Sequence, residues 1–262
     1  GREGRQAALA SDFSVQSFRH VVPLLLWHGR LSYVRTSLLS GFVLHRGLVI
    51  SAMQALFMLL LHHVTVFVFN GYLTLCYPTL FTCCPAFALT LDEDIPRAQA
   101  LRYPELYRLV QRGAHLSPRQ FLQWVWKAVF QGAAIVLCAL WLFEHSYNEL
   151  VTLMFTALVF MEYLNVFTLV RRWHVLMTLA LGLSAAVYLV CLVALRDVFY
   201  FAPVGPHRLA QVFLLVLAAW APFQAAQAVQ RRWFKSPVDK VVAEAAVLGR
   251  RSSSNAFAPL PF

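Results

Sequence analysis

Six long apolar stretches constrain this chain more than any other feature of its sequence. They lie at residues 37–61, 72–91, 120–143, 150–170, 175–195 and 209–229. The hydrocarbon core of a bilayer is about 30 Å thick, and roughly 20 apolar residues of helix are needed to cross it. Backbone polar groups must be paired inside lipid, so such stretches form helices rather than isolated strands. The pattern predicts an all-α membrane protein with six transmembrane helices.

The charge distribution supports the same interpretation. Only 13% of the residues are charged and 60% are hydrophobic, whereas about a quarter of the residues of a typical soluble domain are charged. The formal net charge is +10, but the basic residues lie between the apolar stretches instead of forming one patch. This arrangement indicates membrane topology, and nucleic acid is not an expected partner.

Lysine and arginine in short loops set the orientation of a membrane protein, because they are retained on the cytosolic side. The segments before the first stretch and after the second, fourth and sixth are basic, whereas the links after the first and third contain no lysine or arginine. Only the link after the fifth stretch, with Arg196 and Arg208, departs mildly from this alternation. Both termini are therefore predicted to be cytosolic.

Four polar residues within the apolar stretches need an explanation, because charges inside a bilayer are costly and usually face protein or a water-filled path. Arg46 lies in the first stretch, and Glu162 lies in the fourth with Asn165 on the same helical face. For Arg46 and Glu162, pairing between helices and a role in transport are both open. Lys127 is close enough to the predicted cytosolic end of its helix to extend its ammonium to the interface.

The absence of certain residues and motifs limits the chemistry that this chain can perform. No carboxylate occurs between Asp12 and Asp92, so the first two helices offer no anionic cage for a desolvated hard cation such as calcium. The sequence contains no phosphate-binding glycine loop and no HExxH motif, and its cysteines lack metal-type spacing with histidine. We therefore predict no catalytic residue and no metal ligand in this chain. Pro78 and Pro85 predict kinks in the second helix.

Several motifs together resemble the type IV, phospholipid-transporting P-type ATPases, or flippases. The opening GREGRQAALASDFSVQSFRH and the following HGRLSYVR are similar to the end of the family's phosphorylation domain and the stalk into its fifth membrane helix. FTCCPAFALTLDEDIP is similar to the family's F-T-x-x-P and D-x-D at the end of helix six. YPELY is similar to the loop that follows, and Glu162 falls on the glutamate of the eighth helix.

The resemblance implies a division of the chain into four parts. Residues 1–20 would end the cytosolic phosphorylation domain, 21–36 would form a stalk, and 37–234 would form the fifth to tenth membrane helices. The tail, 235–262, is polar and basic and is expected to be disordered. The chain begins at Gly1 rather than Met, so we expect it to be a fragment of a longer protein.

The resemblance also implies two sets of functional residues. A coupling stalk would use His28, Arg30, Tyr33 and Arg35. The lipid path, or pairing between helices, would use Arg46, Gly47, Gln54, Thr82, Pro85, Glu162 and Asn165. Many flippases carry a Lys-Asn pair where this chain has Arg46 and Gly47, and a common asparagine falls on Pro78. With Arg-Trp-His at 172–174, these departures resemble the yeast and animal endosome/Golgi subfamily that acts without an accessory subunit.

The implied activity is ATP-driven movement of aminophospholipid-type lipids toward the cytosolic leaflet, with Mg²⁺ and ATP as cofactors of the full-length protein and none bound by this part. Its partners would be the phospholipid, the bilayer, the N-terminal part of the same pump and, less expected, an accessory subunit. The implied location is a Golgi, endosomal or plasma membrane. The alternatives are a self-contained six-helix channel or carrier, a non-catalytic membrane remnant and, within the family, a cation pump.

Overall fold

The computed structural model of the chain describes residues 2–15, 17–61, 67–111, 113, 116–142, 146–203 and 205–233. The predicted tail, 235–262, lies outside these residues. The α-helices are α1 (Arg2–Ala10), α2 (Val21–Pro23), α3 (Arg30–Leu60), α4 (Gly71–Cys76), α5 (Cys83–Ala88), α6 (Arg97–Arg102), α7 (Tyr107–Gln111), α8 (Pro118–Leu142), α9 (Tyr147–Leu169), α10 (Val175–Ala194), α11 (Arg196–Phe199) and α12 (Pro206–Trp233). The described part of the chain contains no strand.

Six helical segments are long and apolar enough to cross a membrane, as the sequence predicts. They are Phe18–Leu60, Gly71–Leu91, Pro118–Leu142, Tyr147–Leu169, Val175–Ala194 and His207–Gln230. The first segment is longer than its apolar stretch, because the predicted stalk is also helical. A 3-10 turn, α2 and a π-helical turn at Leu24–Gly29 run directly into α3. A continuous helix of this kind can transmit a displacement at one end to the other.

The second membrane segment is broken in the middle, where the sequence places its two prolines. It consists of α4, a π-helical segment at Tyr77–Phe81, the non-helical Thr82, α5 and a final 3-10 turn. Proline lacks a backbone N–H and its ring opposes the preceding turn, so two prolines seven residues apart disrupt the regular α-helical ladder. The prediction of a kinked second helix is confirmed.

The fourth membrane helix, α9, lies at the centre of the bundle. In the most apolar part of α9, 78% of the residues are buried, against 28% in α10 and 22% in α12. A helix that is apolar on every side, as α9 is, packs inside a bundle instead of at its surface. Its Phe155 packs against the rings of Phe81 and Tyr188 from the second and fifth membrane segments. Polar side chains of α9 are therefore enclosed by the neighbouring helices.

Two glycines allow α3 and α8 to approach closely. A Cβ on Gly132 of α8 would lie 3.1 Å from the carbonyl oxygen of Val49 on α3. A Cβ on Gly41 of α3 would lie 2.5 Å from the indole nitrogen of Trp124 on α8. Small residues at such crossings are typical of membrane helices, where close backbone approach drives association.

Candidate functional site

The first candidate site is the break in the second membrane segment, where Arg46 of α3 meets it. The Thr82 backbone N–H bonds the Tyr77 carbonyl, five residues earlier, at 3.1 Å. The Pro78 carbonyl instead accepts from Nη1 of Arg46 at 3.2 Å. The same Nη1 donates to Oγ1 of Thr82 at 2.9 Å, and this hydroxyl donates to the Tyr77 carbonyl at 2.7 Å. The half-buried guanidinium therefore satisfies polar groups of the break.

Pro85 leaves a second carbonyl of the break without its usual helical donor. In a regular helix the N–H of residue 85 would bond the carbonyl of Phe81, but proline has no N–H. The phenol of Tyr163 on α9 donates to that carbonyl at 3.1 Å. Both sides of the break are thus held by side chains from other helices, which is how irregular backbone is accommodated at membrane depth.

A second polar cluster lies deeper, between α3, α8 and α9. Nδ1 of His45 lies 3.2 Å from Oε1 of Glu162, and both side chains are fully buried. Nε2 of His45 lies 2.9 Å from Oε1 of Gln131, and the amides of Gln131 and Asn165 bond each other at 3.1 and 3.3 Å. The cluster of His45, Gln131, Glu162 and Asn165 is called the buried polar network below.

Lys127 departs from the sequence prediction. Its side chain does not extend to the membrane interface, because the residue is only 4% exposed. The ammonium lies over the rings of Trp124 and Phe223, 5.4 and 5.3 Å from their centroids. Two aromatic faces partly replace the hydration of the cation, and the negative charge of Glu162 is close enough to interact with it. Lys127 is therefore a core residue and the snorkelling prediction is wrong.

The structure places the remaining predicted path residues apart from these clusters. Gly47 is exposed, and a methyl group added at its Cα would have no neighbouring atom within 4 Å. Oε1 of Gln54 accepts from the backbone N–H of Val68 at 2.9 Å, near the opposite end of the helix from the stalk. Only Arg46, Thr82 and Pro85 at the break, and Glu162 and Asn165 in the network, come together as groups.

The stalk residues form a separate ionic cluster with the end of the second membrane segment. Arg30 donates to Oδ2 of Asp94 at 2.6 Å and to the Leu106 carbonyl at 2.8 Å. Nε of Arg35 donates to the Asp92 carbonyl at 2.6 Å. His28 is exposed and contacts the ring of the adjacent Trp27, and Tyr33 is half-buried. The structure thus gives Arg30 and Arg35 partners in the D-x-D motif.

No group of three or more His, Cys, Asp or Glu side chains in the described ranges is arranged to hold a metal ion.

The sequence of this chain matches that of a known protein family. The sequence model described as "Phospholipid-translocating P-type ATPase C-terminal" matches residues 8–236, which include the stalk, the break and the buried polar network. The chain belongs to the phospholipid-translocating P-type ATPases. The family predicted from the motifs is confirmed.

Three individual proteins are similar to this chain over 52 to 76% of its length. It is 45% identical over 199 residues to the probable phospholipid-transporting ATPase IIB of Bos taurus, covering 76% of this chain and 18% of that protein. It is 42% identical over 197 residues to the probable phospholipid-transporting ATPase tat-5 of Caenorhabditis elegans, covering 75% and 18%. It is 44% identical over 137 residues to the phospholipid-transporting ATPase NEO1 of Saccharomyces cerevisiae, covering 52% and 12%.

The chain spans less than a fifth of the length of these relatives. The matches to animal and yeast proteins agree with the yeast and animal subfamily indicated by Arg46, Gly47 and the Arg-Trp-His at 172–174.

Two members of the buried polar network were not predicted from the sequence, and the D-x-D motif was given no role. His45 and Gln131 are polar residues inside apolar stretches. Their position in otherwise apolar sequence could have indicated that they pair with other polar residues inside the bundle. Asp92 and Asp94 were matched to the family without a partner. Their partners lie 57–80 residues away in sequence, a separation that local pattern cannot resolve.

Proposed function

We propose that this chain is the C-terminal membrane part of an ATP-driven flippase that moves aminophospholipid-type lipids toward the cytosolic leaflet. The observation that carries the proposal is the family match over residues 8–236. Its relatives from cattle, nematode and yeast are named as phospholipid-transporting ATPases. The six membrane segments of this chain would supply the fifth to tenth helices of the pump.

Arg46 is the proposed contact for the lipid phosphate. Its guanidinium is planar and presents several donors in a fixed fork, which suits the oxygens of a phosphate. In the structure it is half-buried and bonds the broken backbone at Pro78 and Thr82. A passing phosphate would compete for the same donors, so lipid binding and the shape of the break would be linked through this residue. Thr82 and Pro85 define the break, and Gly47 would leave open space beside it.

Glu162, Asn165 and Gln54 are proposed to hold the helices that flank the path. Glu162 and Asn165 bridge α9 to α3 and α8 through the buried polar network. Gln54 fixes the connection that follows α3 by accepting from Val68. These contacts favour pairing between helices as the first role of these side chains.

The stalk is proposed to carry motion from the catalytic domains into α3. Residues 21–36 form one helical body with α3, and His28, Arg30, Tyr33 and Arg35 lie along it. ATP and Mg²⁺ would be bound by the rest of the pump, because the D-K-T-G-T and G-D-G-x-N-D motifs of the family do not occur in this sequence. This part by itself would neither bind ATP nor turn over.

The proposed membrane location, orientation and partners rest on the family resemblance and on the distribution of basic residues. The chain would lie in a Golgi, endosomal or plasma membrane with both termini cytosolic, in contact with the bilayer and the N-terminal part of its own pump. The subfamily resemblance argues against an obligatory accessory subunit, and nucleic acid is not a proposed partner.

The test is lipid-stimulated ATP hydrolysis by the full-length protein that contains this chain. The purified pump is assayed with phosphatidylethanolamine, phosphatidylserine and phosphatidylcholine, and separately with calcium and monovalent cations. We expect stimulation by the aminophospholipids. Stimulation by a cation without dependence on headgroup would instead indicate a cation pump. Passive ion or solute flux through the isolated chain, without ATP hydrolysis by the longer protein, would indicate a six-helix channel.

A further inference from the structure

The two carboxylates of the D-x-D motif join three separate elements at the stalk end of the bundle. Asp92 and Asp94 follow the second membrane segment directly. The arginines that contact them come from the stalk and from the connection between α9 and α10. The set formed by Arg30, Arg35, Asp92, Asp94 and Arg171 is called the stalk clamp below.

Asp94 forms the ionic half of the stalk clamp. One carboxylate oxygen pairs with Arg30 at 2.6 Å, where the two side chains are only 4% and 5% exposed. The other oxygen pairs with Arg171, whose side chain is 49% exposed. A buried charge is costly unless it is paired and hydrogen-bonded. The Arg30–Asp94 pair therefore strongly disfavours separation of the stalk from this loop.

Asp92 forms the backbone half of the stalk clamp. Its side chain accepts from the backbone N–H groups of Arg171 and Arg172 at 3.0 to 3.3 Å. Its carbonyl accepts from Arg35 at 2.6 Å, and the neighbouring Leu91 carbonyl accepts from the same guanidinium at 3.3 Å. The end of the second membrane segment is thus bonded on one side to the stalk helix and on the other to the connection between α9 and α10.

We propose that the stalk clamp is the coupling element that makes the broken second membrane segment and the connection between α9 and α10 move with the stalk, and that Asp94 and Arg30 are its positioning residues. This inference rests on the proposed flippase function. Displacement of α3 would be transmitted to the second membrane segment at two points. The stalk clamp acts at the end of that segment, and Arg46 acts at its break.

Glu93 is the matched control for Asp94. It lies between the two clamp aspartates and also pairs with an arginine, at 2.6 Å from Arg172. However, that arginine side chain is 56% exposed and Glu93 is 29% exposed, and the pair joins the loop to the connection after α9. Exposed pairs contribute little to stability. Glu93→Gln therefore removes the same charge from the same loop without opening the connection to the stalk.

The kinetic test uses the full-length pump with Asp94→Asn, Asp94→Glu, Glu93→Gln and the exchange Arg30→Asp/Asp94→Arg. We expect Asp94→Asn to lower kcat for lipid-stimulated ATP hydrolysis about tenfold while the KM for lipid stays within roughly twofold. Glu93→Gln should behave as wild type, and Asp94→Glu or the exchange should recover part of the loss. Equal effects of Asp94→Asn and Glu93→Gln, or a loss confined to KM, would overturn the proposal.

A distance measurement tests the stalk clamp without any lipid transport. Spin labels are attached through a keto amino acid at Ser32, exposed on the stalk, and at Val175, exposed at the start of α10. The pump is then trapped with beryllium fluoride and with aluminium fluoride. The distance between the labels should be the same in both states in the wild type and should differ between them in Asp94→Asn. Arg171→Ala, which removes only the exposed partner, serves if Asp94→Asn does not fold.

The two experiments separate the coupling proposal from the proposed function. If no lipid stimulates the wild-type pump, the flippase proposal fails while the label distance still decides whether the stalk clamp moves as one body. A wild-type label distance that changes between the two trapped states would overturn the coupling proposal even in an active flippase.

Discussion

Nδ1 of His45 lies 3.2 Å from Oε1 of Glu162, and neither side chain is exposed. On its other side, Nε2 of His45 lies 2.9 Å from Oε1 of Gln131. Side-chain oxygens of two different helices thus lie close to the two ring nitrogens of one fully buried histidine. This contact places a histidine from the first membrane helix against the central helix, inside the bundle.

Removing the buried histidine should destabilise the bundle. His45→Ala removes the side chain that contacts both Glu162 and Gln131 and leaves these buried polar groups without it, so we expect a stability loss of about 2 kcal/mol. Adding Glu162→Gln to His45→Ala should recover part of the loss, because a neutral amide is less costly to bury. Thermal unfolding in detergent measures both variants. His28→Ala, at an exposed histidine, is the control, and a loss as large there would contradict this account.

The close crossing of α3 and α8 makes a second prediction. In Gly41→Ala the new methyl group would meet the Trp124 indole at 2.5 Å, so this ring must move, and we expect destabilisation of about 1 to 3 kcal/mol. Gly182→Ala on α10 has open space around its Cβ and should stabilise the helix by up to about 1 kcal/mol. Unfolding midpoints that change alike for the two variants would show that the two helices do not cross so closely.

Arg46 should be needed for the response to lipid. Arg46→Ala removes the donors shared by Pro78 and Thr82 and the proposed phosphate contact, so we expect lipid-stimulated ATP hydrolysis by the full-length pump to fall about tenfold. Arg46→Lys should restore little, since an ammonium lacks the planar fork. Arg102→Ala, at an exposed arginine near the stalk, is the control. Unchanged activity of Arg46→Ala with several lipids would dismiss the phosphate role.

Thr82→Val separates the two roles of Arg46. The substitution removes the hydroxyl that accepts from the guanidinium at 2.9 Å but leaves the arginine in place. If Arg46 acts by holding the break, Thr82→Val should lower lipid-stimulated activity in the same direction as Arg46→Ala, at an unchanged KM for lipid. If the arginine acts only on the phosphate, the KM for lipid in Thr82→Val should fall or stay constant while kcat is retained.

The proposed orientation predicts which side of the membrane each loop faces. In sealed vesicles with the cytosolic face outward, a membrane-impermeant thiol reagent should label Arg102→Cys directly. It should label Arg196→Cys, in the connection after α10, only after permeabilisation. Labelling of the unsubstituted chain, with its five native cysteines, gives the background. The reversed pattern would place the termini on the opposite side.

The extent of the membrane helices could be predicted from sequence because it depends on local hydrophobicity. Each predicted stretch overlaps one observed membrane segment, and the break in the second follows from Pro78 and Pro85 alone. These features need no knowledge of which helices are neighbours, since backbone pairing in lipid and the chemistry of proline act within one segment.

The partners of the polar residues could not be predicted in the same way. Lys127 is near a helix end in sequence, but Trp124 and Phe223 surround it, and Phe223 comes from a helix 96 residues later. The contact between His45 and Gln131 spans 86 residues. Such pairings depend on helix order and rotation in the bundle, which hydrophobic patterning leaves open. The D-x-D motif was identified from the sequence by its resemblance to the family. Its contacts with Arg30 and Arg171 could be seen only in the folded structure.

The most direct test of the central claim is lipid translocation by the full-length pump reconstituted into proteoliposomes. Fluorescent phosphatidylethanolamine, phosphatidylserine and phosphatidylcholine are placed in the membrane, and dithionite accessibility reports how much of each lies in the leaflet that faces the dithionite. With Mg-ATP we expect the aminophospholipids to move toward the leaflet that bears the catalytic domains, and Arg46→Ala to lose that movement. ATP hydrolysis without net movement of any of the three lipids would contradict the account.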